Sequence, residues 1–241
     1  MTSLPSADTE AGFDAVRRDE AALGPGVASL VGRLGLDHLT PERFSDGSLP
    51  VYALGDALVL KLYPPVFLHE REIESSVLSS LDGRLSIPTP RVQAIGSHDG
   101  WGYVLMDRVR GESLATAWPR IDMASRARLV RSLGVGLAEL HAHGASSSLA
   151  ALPPGDWAAF MRAQREGCVA RQRACGLAEA WLEQIPAFLD ATPLPPEPPR
   201  VLLHTEVMRE HLRVEERGGE WALTGTFDFE PAMLGAAEYG W

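Results

Sequence analysis

The chain has 241 residues, 45% of them apolar and 22% charged, with a formal net charge of −10. That is enough length and apolar content for a substantial core, as one large domain or as two lobes. The acidic balance excludes the basic face of a general nucleic-acid binder and suits a polycationic partner. No apolar run approaches the roughly 20 residues that span a bilayer. The polar N-terminus also lacks the order of a secretory signal, so the chain reads as cytoplasmic.

Met1 to about Glu10 is rich in Ser, Thr, Asp and Pro and reads as disordered. Phe13 to Leu23 and Val27 to Leu36 carry helical apolar spacing, and Pro25, between Gly24 and Gly26, is expected to interrupt that helix. The period changes at Phe44. Ser45 to Pro50 is a turn, Val51 to Leu54 a short strand, Gly55-Asp56 a hairpin turn and Leu58 to Tyr63 a second strand. Lys61 stands in the middle of this apolar strand, where an ammonium is costly unless it reaches a partner. His69 to Leu81 follows as a helix, with Ile73, Val77, Leu78 and Leu81 at helical spacing. Its Glu70, Glu72 and Glu74 are the candidate partners for Lys61. A strand starts in Ile87 to Val92, Gly96 to Gly100 turns the chain, and Trp101 to Met106 is another strand.

Asp122 caps a long helix to His143, with Leu129, Leu133, Leu137 and Leu140 on one face. His141 closes that apolar face and reads as structural. Ala145 to Gly155 is a loop of small residues. Asp156 caps a helix to about Ala174, and Leu177 to Ala191 reads as one more. Cys168 and Cys175 are the only cysteines, which excludes a disulfide framework and a paired-cysteine metal site. Pro193 to Pro199 reads as an extended linker. Val201 to Leu203 is a strand that enters a polar loop, and Leu212 and Val214 leave it. Gly218-Gly219 reverses the chain, and Trp221 to Phe227 returns. Titratable residues open the loops on either side, His204 and Glu206 in the first and Asp228 and Glu230 in the second.

This order of parts resembles that of the kinase-like phosphotransferases, in which His, an Asp two positions on, an Asn five further and a later Asp carry the chemistry. His204, Glu206, His211 and Asp228 stand at those places. Leu223 to Glu230 is similar to the Ile-Asp-Phe-Glu loop of the aminoglycoside phosphotransferase family, the hygromycin and related small-molecule kinases. The stretch from Val51 to Pro65 resembles the same family, with its Val-Tyr, Gly-Asp turn and lysine strand.

The resemblance implies an α+β, two-lobed, protein-kinase-like fold, with a small antiparallel-sheet N-lobe and a mostly helical C-lobe. Residues 1–24 would form a flexible N-terminus and helix, 25–106 the nucleotide-binding N-lobe and 107–241 the C-lobe. The family continues past the second loop with more helices, so a C-lobe shortened at its end is expected. The implied activity is transfer of phosphate from ATP (or GTP), with Mg2+, to a hydroxyl of a small molecule, polycationic if it is an aminoglycoside. Lys61 and Glu74 would hold the phosphates, since Glu74 matches the family's Glu-x-x-x-Leu-x-x-Leu helix. Gly47 and Ser48 would cover the phosphates, and Asp107 and Val109 would hold the base through backbone groups. Glu206 and His204 would be catalytic, and Asp228 and His211 would face the metal. The first loop departs from the family, since Glu206 replaces Asp and His211 replaces Asn. Imidazole is a poorer magnesium ligand than oxygen. Either His211 leaves the metal alone, or the site takes another ion, or one metal position is lost. A kinase-like nucleotide-binding protein with weak or no turnover is the alternative reading.

Overall fold

The computed structural model describes residues 3–143, 149–192 and 199–240. Helix α1 (Glu10–Val16) starts where the Thr9 hydroxyl accepts from the Gly12 N–H. Helix α2 (Glu20–Arg33) starts where the Asp19 carboxylate accepts from the Ala22 N–H. The break therefore falls just before Asp19, and Pro25 lies inside α2. So near the start of a helix, a missing N–H leaves one carbonyl, that of Ala21, without its partner, and two capped turns outweigh that loss. The segment read as disordered is packed from Ser3 onward. Leu4 and Ala7 are buried, the Leu4 N–H donates to Asp99 Oδ2 at 3.0 Å, and the Trp101 indole donates to the Pro5 carbonyl at 2.7 Å. Only glycine admits this crossing, because a Cβ on Gly26 would lie 2.5 Å from the Leu4 nitrogen.

The N-lobe is a five-stranded antiparallel sheet in the order β1-β2-β3-β5-β4. Its strands are β1 (Pro41–Arg43), β2 (Val51–Leu54), β3 (Leu58–Tyr63), β4 (Val92–His98) and β5 (Trp101–Asp107). Helix α3 (Leu68–Leu81) joins β3 to β4 and buries Val77, Leu78 and Leu81. In the sheet centre, Lys61 lies opposite Val51 on one side and Val104 on the other. Pro88 and Pro90 keep the chain out of the sheet until Val92.

The C-lobe opens with β6 (Glu112–Ser113), α4 (Leu114–Ala117) and α5 (Met123–His143), whose first N–H groups donate to Asp122. Helix α6 (Trp157–Ala174) is capped by Asp156. The stretch 177–191 is not one helix but two, α7 (Glu179–Leu182) and α8 (Ile185–Ala191). Pro186 occupies the first turn of α8, where its ring is accommodated, and it could not continue α7. The proline-rich linker at 193–198 and the start of the small-residue loop, 144–148, lie outside the described residues.

Strands β7 (Val201–Leu203), β8 (Leu212–Arg217), β9 (Glu220–Thr226) and β10 (Met233–Gly235) form two small sheets, β10-β7 and β6-β8-β9. Gly218 and Gly219, at φ 61° and 84°, make the β8–β9 turn that side chains would resist. Leu212, Val214 and Trp221 pack under this hairpin against Leu114, Ala117, Ile121 and Leu129. A larger core runs from the N-terminal helices through the sheet to Leu202, Phe229 and Leu234. Among the described residues no helix is long and apolar enough to cross a membrane.

Candidate phosphotransfer site

Lys61 is 4% exposed, and its ammonium is met by three carboxyl groups. Nζ lies 3.0 Å from Glu74 Oε2, 2.5 Å from Asp228 Oδ1 and 2.7 Å from Glu230 Oε2. Burying that charge would be prohibitive without such partners. Of the three glutamates on α3, Glu74 is the one turned inward. Its Oε1 accepts from the Phe229 N–H at 3.1 Å, and the Tyr63 hydroxyl donates to Oε2, the oxygen that faces Lys61. Tyr63 shares the face of β3 with Lys61 because it lies two residues on. Glu70, one turn earlier, is half-buried, which raises its carboxyl, and Glu72 pairs with Arg71.

One ammonium facing three carboxylates would leave two negative charges uncompensated in a dry site. Burial, then the charges of Glu74 and Asp228 against that of Lys61, push the Glu230 carboxyl up to about 9. Asp228 goes the other way, to about 2, since Lys61, a hydrogen bond from Glu230 and His211 outweigh its burial. The Lys61–Glu230 distance alone would suggest an ion pair. The charge count instead places a proton on Glu230, which donates to Asp228 and still offers an oxygen to Lys61. The Lys61 ammonium is held well above its ordinary range, because the four acidic groups around it overcome the cost of burial.

The first loop is pinned to the second by two histidines. His204 is 3% exposed, with Nε2 2.9 Å from the Phe227 carbonyl and Nδ1 3.4 Å from the Glu206 N–H. A carbonyl only accepts, so Nε2 carries the proton and Nδ1 accepts. Burial pushes this imidazole down to about 4, so it is neutral. His204 therefore has no free edge toward the cleft. Its place is buried behind the loop. His211 Nδ1 is 2.9 Å from the Glu206 carbonyl, and Nε2 is 3.1 Å from Asp228 Oδ2. The Glu206 carbonyl and the Asp228 carboxylate thus engage both ring nitrogens of His211. Thr205 and Asp228 have φ of 67° and 77°. Thr205 is held there by its hydroxyl, which donates to the Pro231 carbonyl at 3.0 Å. The Glu206 side chain is about half exposed (46%) at the mouth.

Glu206, His211 and Asp228 each place a ligating atom within 4.8 Å of the others. The carboxylate oxygens of Glu206 and Asp228 fit a hard ion such as Mg2+. The His211 ring does not, being a nitrogen donor with both nitrogens already engaged. Gly47, at φ 110°, and Ser48 are exposed in the β1–β2 loop. Asp107 donates its N–H to the Arg91 carbonyl and accepts from the Gln93 amide. Val109 packs on Gly225, where a Cβ would lie 2.4 Å from Val109 Cγ1. Among the described residues no hydrogen bond or ion pair joins these four to the Lys61 cluster. A cavity of about 350 Å3 borders Asp107 to Arg110, Leu223 and Thr224, away from Lys61 and Asp228.

The site thus gathers Lys61, Glu74, Asp228, Glu206, His204 and His211. Sequence reasoning did not assign Glu230 and Tyr63. The available signal was periodicity, since Tyr63 is two residues from Lys61 and Glu230 two from Asp228.

The profile of the phosphotransferase enzyme family (APH) matches residues 40–239. Among solved structures, the GDP complex of wild-type aminoglycoside 2'-phosphotransferase-IIIa is similar at a TM-score of 0.71 and 17% identity, over 89% of this chain and 75% of that one. The apoenzyme of macrolide 2'-phosphotransferase MphH from Brachybacterium faecium is similar at 0.61 and 22%, over 89% and 74%. The streptomycin–ATP ternary complex of APH(2")-IIa is similar at 0.61 and 16%, over 88% and 73%. No curated protein matches the chain. With strand β3, the lysine–glutamate pair and both loops inside the matched residues, the chain belongs to the phosphotransferase enzyme family.

Proposed function

We propose that the protein transfers the γ-phosphoryl group of a nucleoside triphosphate to a hydroxyl of a small molecule, aminoglycosides being the first class to test. The observation that carries this reading is the convergence of Lys61, Glu74 and Asp228 from three separate elements onto one point. In this reading Lys61, steadied by Glu74, meets the phosphates when the carboxylates yield it. Asp228, with Glu206 nearby, holds a divalent cation, which would supply neutralisation of phosphate charge. Glu206 takes the proton of the substrate hydroxyl as its oxygen bonds to phosphorus. The bond from phosphorus to the β–γ bridging oxygen breaks, and the nucleoside diphosphate leaves. His204 is a positioning residue that holds the first loop against the second.

The test is transfer from labelled triphosphate to a panel of hydroxylated antibiotics. Glu206→Gln should lower turnover by about 10² to 10⁴-fold with nucleotide affinity unchanged, and Lys61→Met should abolish nucleotide binding. An unchanged rate in Glu206→Gln would remove Glu206 from its role. A second reading is supported by His211, which sets a ring nitrogen against Asp228 on the side where a cation would bind. On that reading the chain binds nucleotide without turning it over, and no hydroxyl in the panel is phosphorylated.

A further inference from the structure

Apart from the acidic cluster around Lys61, a basic pair lies on the β8–β9 side of the molecule. There Arg213 leaves β8 on the face opposite Leu212 and Val214, which are buried in the core beneath the hairpin. Its guanidinium lies 5.3 Å above the ring of Phe227, the residue before Asp228. The side chain is half-buried and makes no hydrogen bond or ion pair among the described residues. Its N–H donors are therefore unused among the described residues. Burial, and then the charge of Arg108, pull this guanidinium down from its ordinary range. Arg108 comes from the link between β5 and β6, donates to the Gly55 carbonyl at 2.9 Å and lies 5.6 Å over the Phe44 ring. Its carboxylate neighbour, Asp56, is at 4.0 Å and fully exposed, a weak counterion. Two guanidiniums backed by aromatic rings thus lie close enough for the charge of one to oppose that of the other.

A desolvated guanidinium without a partner is unfavourable unless something else occupies its donors. Guanidinium has N–H donors and no acceptor, and its plane stacks on aromatic faces. What satisfies it is a flat ring rich in acceptors. Guanine offers N7 and O6, both acceptors, whereas adenine places an amino donor where guanine has O6. We propose that Arg213, assisted by Arg108, forms the base subsite of the cleft and makes it select guanine over adenine nucleotides. This inference rests on the phosphotransferase reading for the presence of a nucleotide. It goes beyond that reading in naming the base and the residue that chooses it.

The experiment is calorimetric binding of Mg-GTP and Mg-ATP to wild type, Arg213→Met, Arg213→Lys and Arg108→Met. Wild type should bind GTP about ten-fold or more tightly than ATP, the scale of one well-placed bidentate contact. Arg213→Met should bring the two affinities within about two-fold, mainly by weakening GTP. Arg213→Lys keeps the charge but not the planar fork and should do the same, whereas Arg108→Met should narrow the ratio in part. A wild type that binds ATP as well as GTP overturns the proposal and leaves the phosphotransferase reading standing. So does a ratio unchanged in Arg213→Met. A wild type that binds neither nucleotide overturns both.

Discussion

Replacing His204 with glutamine should remove a pH dependence of stability that the wild type carries. In the unfolded chain this imidazole has its ordinary value of 6.5, and in the fold it lies at about 4 because burial opposes the charged form. Between those values the unfolded chain holds a proton that the folded chain does not. Stability is therefore intact above pH 6.5 and falls as the pH drops toward the folded value. At about 1.4 kcal/mol per pH unit, moving from about pH 7.5 to about pH 4.5 costs the wild type roughly 2.5 kcal/mol through this group. That is a large fraction of the roughly 5–15 kcal/mol that holds a domain together. A glutamine amide can still donate to the Phe227 carbonyl and has nothing to titrate. Urea denaturation of both proteins across this range should show the wild-type midpoint falling more steeply, the two curves converging as the pH falls. Parallel curves would refute the assignment. So would a ring resonance of His204 that titrates near 6.5.

Lys61→Met should also destabilise the fold, by about 3–5 kcal/mol, since it strands buried carboxylates. Glu230→Gln should cost less than about 1 kcal/mol, because the protonated carboxyl and the amide offer the same donor and acceptor. Urea melts of the two variants at neutral pH check both numbers, and a large loss in Glu230→Gln would show that Glu230 is ionised. His211→Asn replaces a ring nitrogen with an oxygen ligand and should tighten magnesium binding in the presence of nucleotide, read by metal titration. Unchanged or weaker metal binding would mean that His211 does not compete with the cation. Glu206→Asp shortens the reach by one methylene, and in an active enzyme transfer should be retained or raised, as initial rates would show.

Much of the fold was legible because its periods are strong. The hairpin at Gly218-Gly219, the Lys61 strand and the capped α5 each announce themselves in a few residues. The short strands β1, β6 and β10 did not, because two or three residues carry no period and their pairing is decided by distant partners. The terminal segment misled because two buried residues, Leu4 and Ala7, are diluted among polar neighbours. In the site, the lysine was legible from its cost, an ammonium in an apolar strand. The choice of Glu74 over its neighbours came from its match to the family's Glu-x-x-x-Leu-x-x-Leu helix, with leucines four and seven residues on. The two-sided engagement of His211 could not be read, since it depends on the Glu206 carbonyl and the Asp228 carboxylate converging in space. Nor could the proton on Glu230, which follows from counting charges around a point that only the folded chain defines.

Glu74 joins two parts of the chain that need not otherwise move together. One oxygen holds the strand lysine and the other holds the Phe229 amide, so α3 cannot rotate without dragging the loop that carries Asp228. The helix and that loop therefore form one mechanical body, clamped at the inner end of the cleft. Any opening of the lobes has to pivot about this clamp.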